Sequence, residues 1–128
     1  MRKSVLDTNV LLRFFVGDHP AHLVLAKDIF QGAQKGRCSL VILPIIVAET
    51  VFVLDSFYKK SPHEIADVFE VFLSQRWLDV LERDILLSAI DRYRLGEHFV
   101  DCYLAAWAQY EDTDPVTFDT KLKKRLNK

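Results

Sequence analysis

Apolar residues along the chain fall into short unbroken runs that alternate with stretches of helical spacing. Ser4 to Leu6 opens the series. The run is too short for periodicity to separate helix from strand, but its place ahead of an alternating pattern makes it a buried parallel strand. It stops at Asp7. Asn9 to Val16 then reads as a helix with Leu11, Leu12 and Phe15 inward, ended by Gly17, a residue common just past a helix C-terminus. Asp18-His19-Pro20 starts a second helix. Its inward stripe is His22, Leu25, Ala26, Ile29, Phe30 and Ala33, and Gly36 closes it. Cys38 to Leu43 is a continuous apolar run between turn and proline signals, which suits a second buried strand. Pro44 opens a helix that runs to about Tyr58.

In the second half, Ser61-Pro62-His63-Glu64 combines a capping residue, proline at the first helical position and glutamate at the third, a capping box. The helix it starts buries Ile65, Val68, Phe69 and Phe72. Trp77 to Leu81 alternates as a third strand, with Asp79 pointing away. Asp84 begins a helix that buries Leu86, Ala89, Ile90 and Tyr93 and stops at Gly96. Val100 to Glu111 is apolar nearly all round. Pro115 to Phe118 reads as a fourth strand ending at Asp119, and Thr120 to Leu126 as a last, basic helix. Strands alternating with helices predict an α/β fold with a parallel sheet and right-handed crossovers.

Composition narrows the class. The 128 residues, 50% of them apolar, suit a single domain over 1–128 with one core. Met1-Arg2-Lys3 is followed by too few apolar residues for a signal peptide, and the longest apolar run, Leu40 to Ala48, contains Pro44 and is too short to cross a bilayer. A soluble cytoplasmic chain is expected, with no membrane partner. Cys38 and Cys102 fit neither a disulfide framework nor a metal spacing and read as small buried residues. A net charge of -1 neither favours nor excludes nucleic acid, since the distribution of charge decides that.

Four acids carry the chemistry. Asp7 stands at the carboxyl end of the first strand, where sites form in open parallel sheets; its structural alternative is a helix cap. Glu49 has Ile45, Ile46, Phe52 and Val53 as its helical neighbours, which places a carboxylate on an apolar face, where it needs a cation, a donor or a proton. Asp101 lies in the first turn of its helix, a position the helix dipole also favours. Asp119 repeats the pattern of Asp7, so two strands end in an acid on one sheet edge. If the four converge, their mutual repulsion requires a cation among them. Oxygen-only ligands select Mg2+ or Mn2+ over zinc. Such an ion supports phosphodiester hydrolysis.

Leu6-Asp7-Thr8-Asn9-Val10, Glu49 in its apolar helix, Val100-Asp101-Cys102-Tyr103-Leu104-Ala105-Ala106 and Thr117-Phe118-Asp119 resemble the four motifs of the PIN-domain family, in the same order and with similar spacing. The resemblance covers nearly the whole chain. It implies a three-layer α/β/α fold with a parallel sheet in the order 3-2-1-4. A fifth strand is frequent in the family, and little length remains for one after the last helix. It further implies Mg2+- or Mn2+-dependent cleavage of single-stranded or looped RNA. Asp7, Glu49, Asp101 and Asp119 would form the acidic metal site, with Thr8, Asn9 and Thr117 as its polar support. Small stand-alone members resemble VapC toxins, homodimers silenced by an antitoxin protein.

Lys121, Lys123, Lys124, Arg125 and Lys128, with Arg2 and Lys3, could contact phosphates beside the acids, or form a solvated face. His19, His22, His63 and His98 match no zinc spacing. Only His98 approaches a motif acid, which speaks against a metal-free ribonuclease built on histidine pairs. Two other functions fit parts of the pattern. A PIN-like module could bind RNA or protein without cutting, against which stands the presence of all four acids. A haloacid-dehalogenase-type phosphatase would also place Asp-Thr after its first strand, but needs a second Asp where Asn9 stands.

Overall fold

The computed structural model describes residues 2–126, and for residues 124–126 the backbone alone. The elements are β1 (Arg2–Val5), α1 (Thr8–Val16), α2 (Pro20–Gln34), β2 (Cys38–Ile42), α3 (Pro44–Ser56), α4 (Pro62–Leu73), β3 (Asp79–Val80), α5 (Arg83–Tyr93), α6 (Phe99–Tyr110) and α7 (Thr120–Leu126). The fold is α/β: a parallel sheet in the order β1-β2-β3, flanked by helices. Arg2 pairs with Cys38 and Val5 with Val41 in one ladder, and Val41 with Asp79 in the other. Leu6 N–H extends the first ladder, donating to the Val41 carbonyl at 3.0 Å.

Central β2 is buried at Leu40, Val41 and Ile42, as a strand covered on both faces must be. Edge strand β1 departs from its expected burial. Of the expected Ser4 to Leu6 run, Ser4 is half-buried, Val5 is exposed and only Leu6 is buried, while Arg2 and Lys3 extend the strand with exposed side chains. The cause lies at the other end of the chain. Residues 115–118 form no strand, and Val116 and Phe118 are fully exposed, so among the described residues nothing pairs with the second edge of β1. The observed order is therefore the 3-2-1 part of the expected one, without a fourth or fifth strand among the described residues. β3 is also shorter than expected, at two residues.

Local signals set the helix ends. The Ser61/Glu64 capping box forms in both directions, at 3.1 and 3.3 Å. Gly17 closes α1 in the left-handed conformation at φ 69°, donating to the Arg13 carbonyl at 3.1 Å. α2 buries Ala26, Phe30 and Ala33 only; His22, Leu25 and Ile29, expected inward, are exposed. Val68 of α4 is likewise exposed. An aromatic cluster of Phe14, Phe15, Phe30, Phe69, Phe72 and Trp77 joins α1, α2, α4 and the approach to β3, with ring centroids 4.6–6.4 Å apart. The Arg83 guanidinium closes α4: it donates to the carbonyl of Leu73, an acceptor that the helix end leaves open, and to those of Gln75 and Leu78 in the turn beyond. No helix among the described residues is long and apolar enough to cross a membrane. Cys38 is half-buried and Cys102 buried, and neither is in a disulfide among the described residues.

Candidate functional site

Asp7 occupies the turn out of β1. Its backbone is extended (φ -93°, ψ 154°), and its Oδ1 accepts from Thr8 N–H at 2.8 Å, which caps α1. Capping thus uses one carboxylate oxygen and leaves the exposed side chain able to meet a ligand through the other. Thr8, directly behind it, is 4% exposed, and its Oγ1 is buried without a hydrogen-bond partner. Thr50, the other buried polar residue of the described core, shows the normal solution: its hydroxyl donates to the Ile46 carbonyl at 2.7 Å. Asn9 is exposed on the rim of a groove between α1 and α2.

Glu49 corrects the sequence expectation, because it is exposed and not buried on an apolar face. α3 packs inward through Val47, Thr50, Val51 and Leu54, which leaves Ile45 (71% exposed) and Phe52 (64% exposed) in solvent on either side of Glu49. A helix apolar on nearly every side does not reveal from its pattern which side is inside. Asp101 is half-buried in the first turn of α6. The N-cap there, His98, makes no side-chain cap bond, so the carboxylate is the acid that answers the helix N-terminus. Asp119 heads α7, with its Oδ1 accepting from Lys121 N–H at 2.9 Å and Leu122 N–H at 3.4 Å. Its own N–H donates to Thr117 Oγ1 at 3.0 Å.

These acids lie on adjoining elements: α1 packs on α3, α3 on α6, and α6 on α7. They are not drawn into a closed ligand set. Among the described residues no group of three or more His, Cys, Asp or Glu side chains could hold a metal ion. The donors nevertheless fit a hard divalent cation in kind, being carboxylates together with one buried, unpartnered hydroxyl at Thr8.

The expected basic face can be followed only in part among the described residues. Lys3 pairs with Asp79 at 3.8 Å, Lys121 and Lys123 are exposed, and the side chains of Lys124, Arg125 and Lys128 lie outside the described residues. His19 caps α2, its Nδ1 accepting from His22 N–H at 3.3 Å, and the two rings stack at 3.8 Å, so neither is needed as a zinc ligand to explain its position. A cavity of about 500 Å³ between α1, α2 and α4 is lined mainly by aromatic and aliphatic side chains and contains none of the four acids.

Two tyrosine–carboxylate pairs escaped the sequence pattern, since only tertiary packing brings their partners together. Tyr93 of α5 donates to Asp55 Oδ2 of α3 at 3.3 Å. Burial first, then the Asp55 charge and hydrogen bond, pushes the Tyr93 phenol up to about 12. Tyr103 of α6 donates to Glu82, and burial together with that carboxylate pushes its phenol up to about 12 as well. Glu82 itself holds a left-handed backbone (φ 56°), uncommon for a residue with a side chain.

The geometry can be set beside known proteins. The chain is 28% identical over 124 residues to the "VapC ribonuclease" of Aquifex aeolicus (strain VF5), a match covering 94% of this chain and 90% of that protein. No solved structure matches it significantly. The family model described as PIN domain matches residues 4–126, a span that runs from β1 into α7 and includes all four acids. The chain belongs to the PIN-domain family.

Proposed function

We propose that the chain, acting as one PIN unit over residues 1–128, is a metal-dependent endoribonuclease that hydrolyses RNA phosphodiester bonds, and that it is the toxin of a toxin–antitoxin pair. The observation that carries this proposal is Asp7 at the carboxyl end of β1, exposed, with the orphaned Thr8 hydroxyl behind it, in a PIN-family chain similar to a VapC ribonuclease. Asp7, Glu49, Asp101 and Asp119 would hold Mg2+ or Mn2+. Bound there, such an ion neutralises charge developing on the phosphate and activates water for attack.

The chain's own groups do the positioning. The Thr8 N–H fixes one oxygen of Asp7 and thereby the direction of the other. Asn9 and Thr117 would supply polar support, the second by holding the Asp119 backbone. Exposed Lys121 and Lys123 would meet phosphates, binding any sequence alike. Pro115 to Phe118, docked as a fourth strand on the open edge of β1, would bring Asp119 to the same sheet edge as Asp7 and bury Val116 and Phe118. A homodimer and a protein antitoxin are the proposed partners, supported by exposed apolar side chains on α4 at Val68 and Val71.

Incubating one labelled RNA with the protein in Mg2+ and in EDTA tests the activity. Cleavage is expected with Mg2+ alone, and Asp7→Asn should abolish it while leaving RNA binding intact. Cutting in EDTA, or residual cleavage by Asp7→Asn within threefold of wild type, would refute the proposal. RNA bound but never cut would indicate a binding module instead.

A further inference from the structure

Between α3, the start of α4 and the turn from α5 into α6 lies a cleft of about 280 Å³ that contains none of the four acids. Phe52, Asp55, Tyr93, His98 and Val100 are among its walls. Its location is specific. On α3, Phe52 and Asp55 follow Glu49 along the same helix, and on α6, Val100 directly precedes Asp101. The helices that carry two of the four acids therefore also wall the cleft. Its volume lies near the lower end of small-ligand sites, which run from roughly 300 Å³ upward.

Two features fix the chemistry of an occupant. Phe52 offers a largely open ring, the kind of face on which unstacked bases settle. Asp55 offers a carboxylate whose Oδ2 is held by the Tyr93 hydroxyl, leaving Oδ1 for an incoming donor and spare lone pairs on both oxygens. With its phenol pushed up to about 12, Tyr93 remains a donor throughout the neutral range. Asp55 gives this wall of the cleft a carboxylate, which favours N–H groups. Among the four RNA bases, guanine alone presents two adjacent N–H donors, at N1 and N2, on its Watson–Crick edge. In adenine and cytosine the exocyclic donor stands beside a ring acceptor, and the uracil N3–H stands between two carbonyls.

We propose that this cleft is a subsite for an unpaired guanine of the RNA, stacked on Phe52 and read by Asp55, next to the phosphodiester that is cut. The proposal rests on the nuclease function above, so its test reads binding without cleavage. Isotope-labelled protein, free of metal, is titrated in turn with GMP, AMP, CMP and UMP and followed by amide chemical shifts. GMP is expected to shift Phe52, Asp55 and His98 to Val100 and to bind at least fivefold tighter than the other three. Asp55→Asn keeps an acceptor for Tyr93 but places an amide N–H against the guanine donors, and should abolish the preference with about a tenfold loss for GMP. Phe52→Ala, at an exposed position, should weaken all four nucleotides alike.

Shifts elsewhere on the protein, equal binding of the four, or a GMP preference that survives Asp55→Asn would overturn the assignment. So would argininamide shifting these residues where GMP does not, since the cleft would then take a basic side chain of a protein. GMP bound as expected by a protein that never cuts RNA would sink the nuclease proposal and leave guanine recognition standing.

Discussion

Thr8→Val tests whether the acidic end of β1 is built for a ligand or merely for a helix cap. The Thr8 hydroxyl is buried and has no partner, whereas the Thr50 hydroxyl donates to a carbonyl. A buried polar group left unpaired costs about 1–3 kcal/mol, so exchanging it for the isosteric methyl of valine removes a penalty. Valine and threonine differ little in helix propensity, and the residue keeps its shape at χ1. The variant should therefore gain about 1 kcal/mol, which for a chain of this size raises Tm by roughly 3–6 °C. Thr50→Val is the control. It removes a satisfied hydrogen bond without orphaning the carbonyl, and should stay within about 1 kcal/mol of wild type on the unfavourable side. If the Thr8 oxygen is kept unpaired for the site, RNA cleavage should fall at least tenfold in the more stable Thr8→Val protein and be unchanged in Thr50→Val. Thermal melts and initial cleavage rates on the same preparations decide it. A Thr8→Val protein less stable than wild type, or as active, would refute the reasoning.

Because Glu49 is exposed, Glu49→Gln should leave stability in EDTA within about 0.5 kcal/mol of wild type, and a larger gain by thermal melting would mean that the carboxylate is strained. Asp101→Asn removes an acid from the first turn of α6 and should lose about 0.3–1 kcal/mol in EDTA; Mg2+ at 100 times its dissociation constant should add about 2.7 kcal/mol to wild type and less to this variant, and an absent Mg2+ shift would remove the shared site. Tyr93 and Tyr103 have folded values raised above the unfolded 10, so their contribution is complete below pH 10 and is lost as pH rises towards 12. Denaturant melts across that window should show the decline, and Tyr93→Phe should flatten it. Light scattering at micromolar concentration should give a mass above the monomer, given exposed Phe57, Val68 and Val71; a monomer mass counts against the homodimer.

How much of this could be read from the sequence depended on whether the deciding partner is near in the chain. The Ser61/Glu64 box, the Gly17 cap and the covered β2 run are local or self-consistent signals, and each forms as expected. β1 is different. Its burial depends on a strand more than a hundred residues later, and with residues 115–118 outside the sheet, Val5 faces solvent although it is the one apolar residue of the strand. The tyrosine–carboxylate pairs were hidden for the same reason, since 38 residues separate Asp55 from Tyr93. α3 failed more instructively. With apolar side chains on nearly every side, its pattern assigns no inside, and taking every apolar position as core put Glu49 among them. The structure turns Ile45, Glu49 and Phe52 outward together. Exposed apolar residues are ordinary one at a time, but two flanking an acid on the helix that also walls a cleft mark a face made for contact beyond the chain. Exposure thus changes the physics of Glu49: it needs no compensating cation to be tolerated in the fold, and under the proposed function a metal ion would meet a carboxylate already open to solvent.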